Sequence, residues 1–469
     1  MHLCKVILLA FRATFASLSP IIPFNTAFSG LNSNKSSKSL VCCCTSSSIR
    51  SASNMVSFRI LDNYLSVGLI ISLNAILLAG APSELKLVNV VFRHGDRTPD
   101  NGNEMYPNDP YLNYSFFPEG IGQLTNTGKD REYELGRVLY SRYKNFLGDL
   151  YLPKLVVAHS SDYDRTKMSL QLVLASLFPP RDKLQRWNPT LNWQPIPTTY
   201  VPRVDDNFFL SDECPRYLNE YDRVLELPEI KKKMSHFKGM MNELTKLTGK
   251  KIEKPLDMAN LYHTFVAESS MNLTLPKWAY DYFPDGSLFD GIIAAYNIGN
   301  YSPLLRRLYA GPMIRIMTEN MLAVLAIQNA NRTKLKTKIY LYGGHETNIA
   351  TLLHAFKVYK PHVPEYSSAI ILELLQQNNQ YYVKLLHYRG IPSIIDELTI
   401  PGCKTLCPFK KFSYLIRNLI PSDEELVCDK RQTSDYANTK YPATLENTTY
   451  NLIKSIISLN DTDSIIYIN

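Results

Sequence analysis

The chain has 469 residues, enough for two or three lobes on the usual domain scale, which excludes a small disulfide-stapled toxin. Its hydrophobic share of 45%, aromatics at 11% and charged residues at 20% are those of an ordinary globular protein. Of the formal +8, most comes from residues 1–81; the remainder carries 45 basic against 42 acidic residues and no run of Lys or Arg, so the electrostatic footprint of a nucleic-acid binder is excluded.

The N-terminal region reads as a leader over 1–81. Within it, the apolar stretch Leu65 to Gly80, preceded by Arg59 and followed by Ala81, predicts a secretory signal peptide over about 55–81. A membrane anchor of the same hydrophobicity competes with it, because the length sits at the lower limit of a span. The Ser-rich stretch before Met55, with Cys42, Cys43 and Cys44, is either a mispredicted start or an extended leader.

Export agrees with six acceptor sequons downstream, at Asn113, Asn272, Asn300, Asn331, Asn447 and Asn460. It also agrees with the cysteines. Four of the eight lie in the leader, leaving Cys214, Cys403, Cys407 and Cys428, an even set that reads as two disulfides with three pairings. Cys403 and Cys407 are close enough in PGCKTLCP to staple one turn, which leaves Cys214 to Cys428. Localisation is therefore expected to be extracellular, with a lysosomal lumen as the alternative, and no membrane contact is expected after signal cleavage.

The remaining elements follow in order. LKLVNVVF (Leu85 to Phe92) predicts a buried strand that stops at a cluster of charges. After a loop rich in Asn, Pro and Tyr, a long amphipathic helix is predicted from Leu124, with Thr125, Asn126 and Thr127 as cap candidates. A second strand, Lys154 to Ala158, leads into a helix capped by Ser161 or Asp162 and ending before Pro179. From 205 to 300 the composition changes to short charged helical stretches broken by prolines, read as an inserted helical lobe. Pro312 to Asn329 predicts another amphipathic helix, and Lys338 to Tyr342 a strand that stops at GGHETN.

The expected fold class is α/β, a mixed central sheet flanked by helices with an inserted smaller helical domain. The core comprises 82–204 and 301–435, the lobe 205–300, and the tail 436–469. Three strands end in polar motifs, and reactive groups at strand carboxyl ends are typical of α/β enzymes.

The sharpest motif is Arg93-His94-Gly95-Asp96-Arg97-Thr98-Pro99. Two guanidiniums flanking an imidazole match a phosphate, because Arg presents planar paired donors to phosphoryl oxygens. Imidazole can attack phosphorus, and Gly95 permits a close backbone approach. The bland alternative is a solvated loop in which Arg93 and Asp96 merely pair.

RHGDRTP resembles the signature of the histidine acid phosphatases, branch two of the histidine phosphatase superfamily. QLTNTGKDREYEL (from Gln123), SSDYDRTKMS (from Ser160), WQPIP (from Trp193), CPRY (from Cys214), GHETN (from Gly344) and the Cys403–Cys407 pair follow in the family's order. The likeness runs from about Leu87 to Cys428 and is greatest to the prostatic, lysosomal and insect venom acid phosphatases. It implies His94 as nucleophile, with Arg93, Arg97, Arg165 and His345 around the phosphoryl group and Glu346 protonating the leaving oxygen. It implies a small phosphate monoester as substrate, no cofactor and no metal, and it allows a homodimer. An HExxH zinc motif is ruled out, since position 349 is Ile.

One departure is that the acid phosphatases of this family usually carry His-Asp where this chain has His345-Glu346. The added methylene moves the carboxyl by about 1.5 Å, enough to alter catalysis. The alternatives are a phytase-like inositol polyphosphate phosphatase, for which the +3 balance offers no cationic surplus, and a weakened exported binding protein or allergen on the same scaffold.

Overall fold

The structure, a computed structural model, describes residues 83–100, 103–329 and 337–428. The leader, the tail 436–469 and the sequons at Asn331, Asn447 and Asn460 lie outside the described residues.

Strand β1 (Glu84–Arg93) is buried from Leu87 onward. Leu87 and Val91 point to one face, Val88, Val90 and Phe92 to the other. A strand apolar on both sides must be covered on both sides. On the Val90 face lie α1 (Asn126–Leu147) and α2 (Asp164–Leu177), which present Leu135, Leu139, Leu170 and Val173 at helical spacing. On the Leu87 face lie α8 (Pro303–Asn329) and α9 (Glu346–Ala355), with Met313, Met317, Ile349 and Leu352. Each such side chain contributes about 2 kcal/mol when fully buried. A one-residue slip of β1 would exchange the two faces and forfeit that packing.

The sheet order is β3-β2-β4-β1-β5-β6-β7, with β8 on β6. Strands β2 (Val156–Ser160), β3 (Thr199–Tyr200) and β4 (Ile339–Gly344) run parallel to β1. Strands β5 (Ala369–Gln377), β6 (Gln380–Tyr388), β7 (Ile395–Leu398) and β8 (Leu406–Pro408) form an antiparallel half. The fold is therefore a mixed sheet flanked by helices. Among the described residues no strand occurs between Tyr200 and Ile339. The segment there is helical: α3 (Pro215–Leu225), α4 (Pro228–Ser235), α5 (Lys238–Thr248), α6 (Pro255–Ser270) and α7 (Ser287–Gly299), followed by α8. Helices α10 (Phe409–Ile416) and α11 (Asp423–Leu426) close the described chain. Disulfides join Cys214 to Cys428 and Cys403 to Cys407.

Several local expectations change. The α1 cap is Thr125, whose side chain accepts from Gly128 N. Helix α2 has no side-chain cap, because Tyr163 takes the N-cap position and neither Ser161 nor Asp162 does. Helix α8 begins at Pro303, so Pro312 lies within it. That proline forfeits a helical hydrogen bond at about 3 kcal/mol, offset by the buried Met313, Ile314 and Met317 around it.

The β5–β6 hairpin went unforetold. Its turn uses Asn378 and Asn379 at φ 50° and 60°, the left-handed conformation that two-residue hairpins require. Asn113 and Asn272 are exposed. Asn300 is 5% exposed, its Nδ2 donating to Tyr296 O and its Oδ1 accepting from Thr351 Oγ1. A glycan on that nitrogen is incompatible with this packing, which corrects the expectation at Asn300.

Candidate active site

Because β1, β2 and β4 are parallel and in register, their carboxyl ends stop side by side, with Arg93 opposite Gly344 and Ser160 opposite Gly343. The next residues, His94, Ser161 and His345, therefore converge. His94 N donates to Gly344 O and Ser161 N to Gly343 O, both at 3.0 Å. Gly95 meets the first turn of α1 so closely that a Cβ there would lie 2.3 Å from Gly128 O. Only glycine permits that approach.

His94 is 1% exposed. Its Nδ1 lies 2.8 Å from Gly95 O. A carbonyl oxygen can only accept, so Nδ1 carries the proton and Nε2 keeps its lone pair. Burial first, then the charges of Arg165, Arg93, His345 and Arg97, holds its pKa well below 6.5, so the ring is neutral.

Three buried guanidiniums surround it, each oriented by a different partner. Arg93 donates from Nη1 to Pro364 O at 2.5 Å and lies over the Tyr366 ring at 3.9 Å. Arg97 forms a two-pronged pair with Glu104, one arm 2.7 Å long. Arg165 pairs with Asp100 at 3.0 Å and stacks over Tyr163 at 4.4 Å. Arg93 Nε and Nη2, Arg97 Nε and Arg165 Nε find no acceptor among the described residues. Asp96 pairs with Arg131 at 3.0 Å, not with Arg93.

His345 occupies the N-cap of α9, its ring edge-on to His94 at 5.6 Å between centroids. Its Nε2 lies 2.9 Å from Ser161 Oγ. Burial and then Arg165 push its pKa down to about 3. Glu346, the first residue of α9, lies 3.7 Å from Arg93 Nε and 3.4 Å from His263 Nε2. Burial alone would raise its pKa, but His263, Arg93, His345 and Arg97 outweigh that and hold the carboxyl well below the usual range.

All six residues singled out from the sequence are thus gathered at one place. Sequence reasoning missed Glu104, Tyr366, Ser161 and, on α6, His263. A cavity of about 190 Å³ opens beside Glu346 and His263, walled by Tyr217, Tyr221, Tyr296, Tyr309 and Leu256, and none of its lining residues is Lys or Arg.

A neutral imidazole with an unblocked Nε2 amid three guanidiniums is chemically suited to a phosphoryl group, and comparison with known proteins points to phosphatases. The model of the histidine phosphatase superfamily (branch 2) matches residues 84–388, and the chain belongs to this family. It is 53% identical over 378 residues to a venom acid phosphatase of Apis mellifera, covering 81% of this chain and 96% of that protein. It is 34% identical over 371 residues to the prostatic acid phosphatase of Bos taurus, covering 76% and 91%. To the human lysosomal acid phosphatase it is 32% identical over 352 residues, covering 73% and 80%. By this homology it is an acid phosphatase, a phosphomonoesterase. A solved phytase structure from Citrobacter braakii superimposes with a TM-score of 0.55 at 17% identity, covering 73% of this chain and 99% of that one, a likeness of fold.

Proposed function

We propose that the protein hydrolyses small phosphate monoesters in two steps through a phosphohistidine on His94. The observation that carries this is the Nδ1–H donated to Gly95 O, which leaves Nε2 as the attacking atom. The Nε2 lone pair forms the N–P bond, the P–O bond breaks, and its electron pair leaves with the alcohol oxygen. Glu346 gives that oxygen a proton and then takes one from the water that attacks phosphorus. Arg93, Arg97, Arg165 and His345 aim donors at oxygens on which charge accumulates, in a buried site where such donors act strongly.

The charges around Glu346 favour its ionised form. A bound phosphate dianion offsets the arginine charges that lower its pKa, so the acid form is populated with substrate present and an acidic optimum is expected. A rate maximum above neutral pH would contradict the acid role. The tyrosine-walled cavity beside Glu346 supports an aromatic or apolar leaving group over an inositol polyphosphate. Turnover of an aryl phosphate against an inositol phosphate decides between them.

The two disulfides and the leader reading support secretion, with removal of the signal peptide and glycans at Asn113 and Asn272. The lobe 205–300 is proposed as a cap that supplies the leaving-group wall. The chain works as a monomer or as the homodimer the family allows, and sedimentation velocity distinguishes them. The decisive test of mechanism is quenching in alkaline detergent during turnover of a ³²P-labelled ester. Acid-labile, base-stable label on the wild type and none on His94→Ala is expected. A fully active His94→Ala would overturn the reading.

A further inference from the structure

His263 belongs to neither signature motif, yet it lies at the junction between α6 and the strand-end site. The imidazole is 6% exposed. Its Nε2 faces Glu346 Oε1 at 3.4 Å and Tyr296 Oη at 3.5 Å, while Nδ1 finds no partner among the described residues. A carboxylate only accepts, so Nε2 carries the hydrogen aimed at Glu346. The other carboxyl oxygen, Oε2, remains on the side of Arg93, 3.7 Å from its Nε.

We propose that His263 is a positioning residue for the reaction: it clamps one oxygen of Glu346 and shares a single proton with it, so that the His263–Glu346 pair, and not the carboxyl alone, is the general acid. This rests on the phosphohistidine reading. It also gives the contact from α6 a physical role: the glutamate side chain at position 346 is flexible, and a second contact fixes where its carboxyl lies.

The proton balance closes without any further reactant. At acid pH the pair holds one proton beyond those of a neutral imidazole and a carboxylate, so His263 carries hydrogen on both ring nitrogens beside the carboxylate. As the P–O bond breaks, the Nε2 proton passes to Glu346 and the carboxyl proton passes to the leaving oxygen, which leaves a neutral imidazole with its hydrogen on Nδ1 and a carboxylate. In the second step the carboxylate accepts a proton from the attacking water, and the pair is restored.

Several groups set the proton affinity of His263. Burial lowers it most, Glu346 on α9 raises it, Arg93 at the end of β1 lowers it, and from the loop after β1 Glu104 raises it and Arg97 lowers it. Tyr296 on α7 adds a hydroxyl and no charge. His263 therefore titrates below 6.5, and its charge is the largest of those that hold Glu346 low. A proton held by the pair thus resides chiefly on the imidazole and reaches the leaving oxygen through Glu346.

The test compares kcat and KM for 4-nitrophenyl phosphate, whose leaving group needs little protonation, and glycerol 2-phosphate, whose alkoxide needs much, across roughly pH 3 to 8. Wild type, His263→Asn, His263→Gln, Glu346→Gln and His94→Ala are measured, with thermal unfolding of each to establish folding. His263→Asn is expected to lower kcat at least about tenfold more for the glycerol ester than for the nitrophenyl ester. It should also displace the basic limb of the glycerol-ester profile by about one unit or more, because a limb set by the pair is then set by Glu346 alone.

His263→Gln, which keeps an amide donor and no titrating nitrogen, should behave like His263→Asn. Equal losses for both esters, a change confined to KM, or an unmoved basic limb would each overturn the shared proton. An active His94→Ala would instead sink the underlying mechanism, and a Glu346→Gln indifferent to the leaving group would sink the acid assignment, so the failures are distinguishable.

Discussion

The two walls of the site differ in kind. The wall made by the ends of β1, β2 and β4 is cationic and buried, with each guanidinium locked by its own partner: Pro364 and Tyr366 for Arg93, Glu104 for Arg97, Asp100 for Arg165. The wall made by α3, α6 and α7 offers tyrosines, His263 and no Lys or Arg. The first suits the phosphoryl group that every monoester shares, the second the part in which monoesters differ. A site divided in this way separates the power to cleave from the power to choose.

The sharpest way to break that division is Arg165→Ala. It removes a donor from the cationic wall alone, so kcat/KM should fall by about 10²- to 10³-fold, and equally for every ester. A loss that tracks the leaving group would show that the walls are not independent. Glu104→Gln follows: it leaves the buried Arg97 charge half-paired, and unfolding midpoints in urea should report a loss of about 3 kcal/mol. An unchanged midpoint would mean that the pair is not what holds Arg97.

On the other wall, Asn260→Lys brings a cation to the tyrosine cavity. The ratio of kcat/KM for an anionic over a neutral leaving group should rise about tenfold, with phosphoryl handling intact. No change in that ratio would place the leaving group elsewhere. The smallest effect concerns how the helical wall docks. Glu268 on α6 is held up at about 9 by burial and by the charge of Asp109. A raised carboxyl contributes stability that is complete below its ordinary 4.5 and is lost as pH rises toward the folded value. Melting temperature should therefore decline from pH 5 to 9 more gently in Glu268→Gln than in the wild type. Identical slopes would refute it.

The same two walls divide what the amino-acid order discloses. Arg93, His94 and Arg97 were legible in one motif that follows an apolar run stopping at charge, and Arg165, His345 and Glu346 through the family resemblance of SSDYDRTKMS and GHETN. The parallel register then brings those motifs together. His263 was not legible: in LYHTF it is one more residue of a buried helix, and its meaning arises only when α6 meets Glu346 across 83 positions of chain. Tyr366 was hidden for the same reason, since nothing local marks a ring that will lie under Arg93. In the fold, the parallel strands β1, β2 and β4 announced themselves through apolar runs, whereas the two-residue β3 did not. The β5–β6 hairpin depends on two asparagines accepting a left-handed backbone, a turn that lacks the glycine by which such hairpins are usually recognised. Pro312 was read as a helix start because burial on α8, which outweighs the broken hydrogen bond, is a tertiary effect.

The bond from Arg93 to Pro364 spans 271 residues. At usual translation rates, roughly 15 to 50 s separate the emergence of its two ends from the ribosome. The nucleophile is thus made early, and the Pro364 and Tyr366 contacts that orient Arg93 are made late. A nascent chain that has reached the lumen with only its first half carries the signature motif and no catalytic centre, so phosphoesters in the biosynthetic compartments meet a working enzyme only after the antiparallel half of the sheet has arrived.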